Sequence, residues 1–266
     1  MSDTKTSSPN FNLGEQSTVT IKVSSKAKTQ TFVVHKSFIC YYSPFFTAAF
    51  NGSFKEGETQ HLDLEDIHPS AFAAFIHWLY TQRILWQSGD QGHGATMGDI
   101  IELWALGDRF LIPRLSNEAL KILSRQDWFL YPQNTSAFLW RRIYETTTKG
   151  SKLRQFMIRI GSEVLFDRAY AKDAVALEQY PHEMLADAIV WRRDYHAPAG
   201  INFGGLDWPV DDETLREYYL DENEVFLLLA KSFKTHNALT RAVFRQNLAS
   251  ESMARRSSLL TSGKPN

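Results

Sequence analysis

The chain has 266 residues, of which 43% are hydrophobic and 22% charged, and its formal net charge is −1. This composition is typical of a globular protein and excludes collagen-like and low-complexity classes. The 29 basic and 30 acidic residues form no broad phosphate-neutralising surface, so we expect no direct nucleic-acid binding. The single cysteine excludes an internal disulfide and a cysteine-rich zinc module. We predict no membrane segment and a cytoplasmic and/or nuclear location.

The two ends of the chain are polar. Residues 1–16 and 250–266 contain too few apolar side chains to offset the entropy of ordering, so we predict two disordered tails. Between them we predict two regions, 17–126 and 128–249, which differ in their hydrophobic pattern.

The first region contains three strand patterns. Apolar and polar residues alternate over Val19–Val23, which predicts a half-buried strand. The polar stretch Ser25–Lys28 then predicts a turn into a second strand at Phe32–Val34, so that the two strands form a hairpin. A third alternation, over His61–Glu65, predicts a strand whose acidic residues face water.

Helical patterns fill the rest of this region. Ser43 and Pro44 supply an N-cap and a first-turn proline, and Thr96 and Asp99 form a capping box. Because the strands alternate with helical hairpins, we predict an α+β fold with a short three-stranded sheet. From residue 127 onward we find only helical patterns, one of which follows Pro181 and buries Met184, Leu185, Ala188 and Ile189.

Catalytic motifs are weak throughout the chain. The histidines lack metal-ligand spacing, and the Gly52–Gly57 stretch lacks the lysine of a phosphate-binding loop. Cys40 has no local partner that would make it a nucleophile. We therefore predict a protein that is not an enzyme and has no metal or cofactor, although an enzyme within residues 128–250 stays open as an alternative.

Taken in order and spacing, the motifs of residues 17–126 resemble the BTB/POZ domain, a protein-interaction fold. The motifs that carry this resemblance are Val19–Val23, Phe32–Lys36, Ser43–Phe46, Phe54–Glu56, Leu62–Leu64, Phe72 through Thr81, and the helix pair 99–124. The arrangement looks most like fungal BTB proteins whose domain precedes an undescribed helical region, here compatible with a BACK-like extension.

The resemblance implies a core and a docking surface. For the core it implies the residues Phe32, Val34, His35, Phe72 and Phe75. Many BTB proteins are substrate adaptors that dock on cullin-3 through a hydrophobic-x-Glu motif and a nearby helix end. By position, the residues that match this docking surface are Phe54, Glu56, Tyr80 and Thr81.

Two further implications and two departures accompany the resemblance. It implies protein partners, with cullin-3 and a second copy of the chain as candidates. The transcription-factor branch of the family has an acidic residue at the position of Thr18. Gln82 replaces the glycine that usually follows Tyr80-Thr81, so we expect a different turn after Thr81. We therefore interpret the chain as a cullin-3 adaptor, and the alternative is a self-associating scaffold or transcriptional regulator that does not bind cullin.

Overall fold

The structure is a computed structural model that describes residues 9, 16–85, 96–125, 137–166, 178–196 and 212–221. A three-stranded sheet forms from β1 (Thr18–Ser24), β2 (Thr29–His35) and β3 (His61–Glu65). The strand order is β2-β1-β3, with β1 antiparallel to β2 and parallel to β3. The predicted hairpin is present, and its turn is closed by a bond from the Ser25 backbone N–H to the Lys28 carbonyl at 2.8 Å.

The register of the sheet separates an apolar face from a polar one. Ile21 lies between Phe32 and Leu62 on the inner face, as the period-two pattern predicts. Lys22 lies between Thr31 and Asp63 on the outer face. The inner face is covered by helices, whereas the outer face is open to solvent.

Six helices surround the sheet. They are α1 (Lys36–Tyr42), α2 (Pro44–Asn51), α3 (Lys55–Thr59), α4 (Pro69–Thr81), α5 (Met97–Arg109) and α6 (Pro113–Ser124). Phe110 lies at the centre of an aromatic core, with its ring centroid 4.7 Å from that of Phe46 and 5.6 Å from that of Phe75. The Ser43 hydroxyl caps α2 by accepting the Phe46 N–H at 3.3 Å, and it donates to the Phe110 carbonyl at 2.7 Å. The predicted N-cap therefore also fastens α2 to the end of α5.

Four more helices are described after residue 126. They are α7 (Ala137–Thr146), α8 (Lys152–Phe166), α9 (His182–His196) and α10 (Asp212–Arg216). The buried guanidinium of Arg154 holds this group together, because it donates to the Tyr144 carbonyl at 2.8 Å and to the Glu183 carboxylate at 3.0 Å. The Tyr144 hydroxyl donates to Asp187 at 2.7 Å, and burial raises the pKa of Tyr144.

Two polar links join these helices to the first six. The carboxylate of Glu102 on α5 forms an ion pair with the guanidinium of Arg142 on α7. The side chain of Asn117 on α6 makes a double hydrogen bond with the backbone of Leu220, at 2.9 and 2.7 Å. Helix α7 therefore packs on α5, and the backbone at Leu220 is bonded to α6.

Several sequence predictions need correction. His35 and Phe32 were predicted in the core, but both are only half-buried. Phe32 lies on the same side of β2 as the buried Val34 but nearer the hairpin turn, and His35 lies on the same side as the exposed Val33. Ile189 was predicted on the buried face of its helix and is 60% exposed, because α9 turns Met184 and Ala188 inward instead. The other predicted core residues, Val34, Phe72 and Phe75, are fully buried.

Two helices were not predicted, and several predicted segments lie outside the described residues. Helices α3 and α7 had no predicted counterpart as separate elements. The tails 1–16 and 250–266, apart from residues 9 and 16, lie outside the described residues, as do residues 222–249. Within the described ranges, no helix combines the length and apolar character that a membrane crossing requires.

Candidate protein-interaction surface

Phe54 lies in the short connection between α2 and α3. Its backbone is extended and forms the N-cap of α3, and its carbonyl accepts the N–H of Gly57 at 2.9 Å. The ring packs beside Gly52, where a β-carbon would lie 3.1 Å from the ring edge. Phe54 nevertheless keeps 37% of its surface exposed. An aromatic side chain held in this way combines a fixed position with an apolar surface open to a partner.

Two glycines make the Phe54 connection compact. A β-carbon at Gly57 would collide with the Gly52 carbonyl, so only glycine allows this close approach of α3 to the end of α2. Gln60 ends α3 in the left-handed conformation, with φ 53°. The turn that carries Phe54 therefore has a defined backbone rather than an extended loop.

The end of α2 is held by two long side chains. Lys36 donates its ammonium group to the Phe50 carbonyl at 2.9 Å, and the Gln60 amide donates to the same oxygen at 3.1 Å. The Gln60 amide also donates to the Gly57 carbonyl. These bonds satisfy backbone groups at the helix end that have no partner within α2. Sequence reasoning missed the role of Lys36 and Gln60, because nothing in a local pattern signals a contact made across the fold.

Charged residues follow Phe54 directly along the chain. Glu56 and Glu58 lie in the first turn of α3, where Glu56 is half-buried and Glu58 is exposed. Lys55 is also exposed. The short helix that begins after the exposed aromatic residue therefore carries two acidic residues and one basic residue.

Tyr80 is tied to strand β2. Its hydroxyl accepts the backbone N–H of His35 at 3.0 Å and pairs with the Nδ1 atom of the same residue at 2.8 Å. Because a hydroxyl has one proton, it can donate to Nδ1 while it accepts from the backbone. The Tyr80 ring also packs on Phe38, with centroids 5.0 Å apart. Tyr80 is half-buried, so its hydroxyl has a structural role beside any role in docking.

Gln82 ends α4 in a conformation that favours glycine. Thr81 is exposed, and its hydroxyl donates to the His77 carbonyl at 2.8 Å. Gln82 adopts the left-handed conformation, with φ 54°, and its amide donates to the Trp78 carbonyl at 3.1 Å. Glutamine therefore occupies a position that glycine would take at lower cost, and a turn that differs from that of other BTB domains stays a prediction.

The predicted docking residues belong to two packing neighbourhoods. Helix α3, which follows Phe54, packs on α2 and β3. Helix α4, which ends with Tyr80 and Thr81, packs on α1, α5, β1 and β2. The structure brings Tyr80 together with His35 and Phe38, a grouping that the sequence alone does not show.

The described residues offer little for catalysis. Across those residues, no group of three or more histidine, cysteine, aspartate and glutamate side chains is arranged to hold a metal ion. Burial raises the pKa of the Cys40 thiol to about 11, which keeps it protonated and a poor nucleophile at neutral pH.

Further exposed apolar side chains were missed by the sequence reasoning. Those that are at least 43% exposed are Val33, Tyr41, Leu85, Phe138, Ile189 and Val190. Val33 stands out because it lies within an edge strand. Period-two alternation indicates which face of a strand a residue occupies, but it does not indicate whether the strand lies at an edge.

Comparisons with known proteins agree with this architecture. A family model for the BTB/POZ domain matches residues 8–127, starting before the predicted boundary at residue 17. Kelch-like protein 40 of Xenopus tropicalis is 24% identical over 101 residues, which is 38% of this chain and 15% of the relative. Kelch-like ECH-associated protein 1A of Danio rerio is 36% identical over 64 residues, which is 24% of this chain and 11% of the relative.

These relatives share only part of their length with the chain, because the matches span 15% and 11% of the two proteins. The α+β fold, the three-stranded sheet and the surrounding helices agree with the domain assignment. This domain is a protein-interaction module rather than a catalytic one. Residues 8–127 of the chain therefore match the BTB/POZ domain.

Proposed function

We propose that this protein is a substrate adaptor of a cullin-3 type ubiquitin ligase, acting in the cytoplasm and/or nucleus. The observation that carries the proposal is the exposed ring of Phe54, two residues before Glu56, on a turn with a fixed backbone. This is the position of the hydrophobic-x-Glu motif through which related BTB domains dock. The similarity to two Kelch-like proteins supports the same role.

The Phe54 turn is suited to binding because it is already ordered. Lys36 and Gln60 hold the end of α2, and the contact between Gly52 and Gly57 fixes the turn. A partner that covers Phe54 therefore does not have to order this segment, which lowers the entropic cost of association. Covering the exposed part of Phe54 adds apolar burial at the centre of the contact.

Charge gives the contact its orientation. Glu56 and Glu58 follow Phe54 in the first turn of α3, so the partner surface should present basic side chains near an apolar pocket. Thr81 adds an exposed polar side chain, whereas Tyr80 acts mainly by holding the end of α4 against β2. We assign Phe54 as the anchor, Glu56 and Thr81 as rim contacts, and Tyr80 as a positioning residue.

Calorimetric titration with the purified amino-terminal domain of cullin-3 tests this assignment. Phe54→Ala should weaken binding by at least ~2 kcal/mol, about thirtyfold, with little effect on the free energy of unfolding. Glu56→Ala should weaken binding less and reduce its salt dependence. Phe138→Ala is the matched control, because Phe138 is an aromatic side chain 69% exposed on α7, outside residues 8–127.

The outcomes separate the adaptor from its alternative. If the full chain does not bind cullin-3, the adaptor role is wrong and the scaffold without cullin binding takes its place. If Phe54→Ala binds as tightly as the unaltered chain, the docking surface lies elsewhere. The BACK-like character of residues 128–249 and the protein they recruit stay predictions that this titration does not address.

A further inference from the structure

Strand β2 forms an edge of the sheet, and its backbone is not paired on the outer side. The His35 N–H points outward and donates to the Tyr80 hydroxyl at 3.0 Å. Because N–H groups alternate in direction along a strand, those of Thr29, Thr31 and Val33 point outward as well. Among the residues that the structure describes, none accepts a hydrogen bond from these three N–H groups. The row of backbone groups from Thr29 to Val33 can therefore accept one more strand.

Apolar side chains line both faces of this edge. Val33 is 65% exposed on the outer face of the sheet. Phe32 lies on the inner face, where its ring packs on that of Phe72 with centroids 5.0 Å apart, yet Phe32 is only half-buried. The sequence of β2, TQTFVVH, contains no proline and is rich in β-branched residues, which favour strand pairing. An added strand would bury both Phe32 and Val33 while it pairs with the backbone.

The hairpin that carries this edge is basic. From Thr18 to Lys36 the chain contains four lysines and no aspartate or glutamate, whereas the whole chain has a net charge of −1. Lys22, Lys26 and Lys28 are exposed, and in the described part of the chain none of them forms an ion pair. Lys26 and Lys28 lie at the turn, directly before β2 begins. Carboxylates of a bound segment would therefore meet uncompensated positive charge at this end of the edge.

We infer that the β2 edge binds an extended, acidic segment of another protein as a fourth strand. The segment runs antiparallel to β2, since antiparallel pairing is the more stable per residue. Its carboxylates lie near its carboxyl end, beside Lys26 and Lys28, and one of its apolar side chains covers Phe32. This is recognition by strand addition, in which backbone hydrogen bonds give affinity and alternate side chains give specificity.

Charge distinguishes this partner from other occupants of the edge. A second copy of the hairpin contributes no carboxylate and brings the same lysines, so it would leave the positive charge uncompensated. The opposite edge of the sheet, β3, carries Asp63 and Glu65 at exposed positions, which disfavour an acidic segment there. The β2 surface shares no residue with the Phe54 contact, so the inference goes beyond the adaptor role and does not depend on it.

Fluorescence anisotropy with the full chain and a labelled synthetic peptide tests the charge of the partner. The probe is the peptide SVITVEE, which in the antiparallel register places its isoleucine opposite Phe32 and its glutamates opposite Thr29 and Lys28. The peptide SVITVKK should bind about tenfold more weakly, because its lysines face those of the hairpin. Lys28→Glu should weaken binding of SVITVEE about fivefold. Lys149→Glu is the matched control, since Lys149 is exposed between α7 and α8, away from the hairpin.

Two N-methylated versions of SVITVEE separate strand pairing from charge attraction alone. Methylation of the second, fourth and sixth residues removes the N–H groups that point toward β2, whereas methylation of the third and fifth removes only N–H groups that point away. The first version should bind at least about tenfold more weakly than the second, because it loses its backbone hydrogen bonds to β2. In the chain, Thr31→Pro removes one outward N–H and should weaken the probe about fivefold, with circular dichroism showing that the fold is kept.

The inference is supported if SVITVEE binds, the first methylated peptide loses that binding, and Lys28→Glu weakens it more than Lys149→Glu does. It is overturned if SVITVEE does not bind up to millimolar concentration, which is also the result expected if a second copy of the chain covers the edge. It is equally overturned if the two methylated peptides bind alike, since attraction of any polyanion would then account for the binding. None of these measurements involves cullin-3, so the adaptor proposal and this inference can fail independently.

Discussion

The ion pair between Glu102 and Arg142 ties the helices after residue 126 to the BTB domain, and its removal gives the sharpest test of their coupling. Glu102 is nearly buried, with 6% of its side chain exposed, whereas 30% of the Arg142 side chain is exposed. Glu102 also accepts the backbone N–H of His68 at 3.3 Å. Arg142→Ala therefore leaves a carboxylate in a poorly hydrated position with one remaining hydrogen bond.

The expected cost follows from this burial. Removing one partner of a fully buried ion pair costs ~3–5 kcal/mol, because the other charge is left uncompensated. Because the Arg142 side chain is 30% exposed to water, we expect Arg142→Ala to lower the free energy of unfolding by about 3 kcal/mol, at the lower end of this range. Adding Glu102→Gln to the same chain removes the carboxylate charge that Arg142→Ala leaves without its ion-pair partner. The double variant should therefore be more stable than the sum of the two single changes predicts, by about 1–3 kcal/mol.

Urea unfolding of the full chain, followed by tryptophan fluorescence, measures these differences. Trp104 on α5 and Trp140 on α7 are buried on the two sides of the contact. Arg141→Ala is the matched control, since Arg141 is exposed and, among the described residues, donates to the Gln179 carbonyl at 3.4 Å. We expect it to change stability by less than about 0.5 kcal/mol. A loss for Arg142→Ala no larger than the control would refute the argument that the pair couples the two regions.

Three further predictions follow from the geometry. Phe72→Ala should lower the free energy of unfolding by ~3–5 kcal/mol, because the Phe72 side chain is fully buried. Phe138 is 69% exposed, so Phe138→Ala should change the free energy of unfolding by less than about 0.5 kcal/mol in the same urea titration. Burial favours the neutral Cys40 thiol, so the rate of Cys40 alkylation in the folded chain should keep rising up to a pH of about 11. In urea, where the thiol is exposed, the rate should level off near pH 8.5–9. Tyr80→Phe should cost about 1–2 kcal/mol because the His35 N–H loses its acceptor, and an unchanged urea midpoint would contradict that role.

Much of the BTB domain could be predicted from local sequence signals. The alternation at Val19–Val23 placed a strand whose inner residues are buried, and Ser43 supplies the predicted cap. The capping box is also confirmed, since the Thr96 hydroxyl accepts the Asp99 N–H at 3.3 Å and Asp99 accepts the Thr96 N–H at 2.9 Å. These signals work because each depends on residues no more than a few positions apart.

The missed features depend on contacts between distant segments. Helix α3 has no apolar periodicity, and it forms because Gly57 fits against Gly52 and Gln60 closes the turn. Nothing local distinguishes Ile189 from a core residue; its exposure is set by the way α9 packs on α8. The pairing of Glu102 with Arg142 joins residues on two helices, α5 and α7, that only the folded chain brings together.

The hydroxyl of Tyr80 links the end of α4 to strand β2. It bonds the backbone and the ring of His35, and so holds the helix end at which Thr81 contributes to the proposed docking rim. Removing that hydroxyl therefore takes this acceptor from the His35 N–H and loosens the end of α4 in one step. Tyr80 should for this reason influence docking through the position of Thr81, whereas Phe54 contributes its own exposed apolar surface.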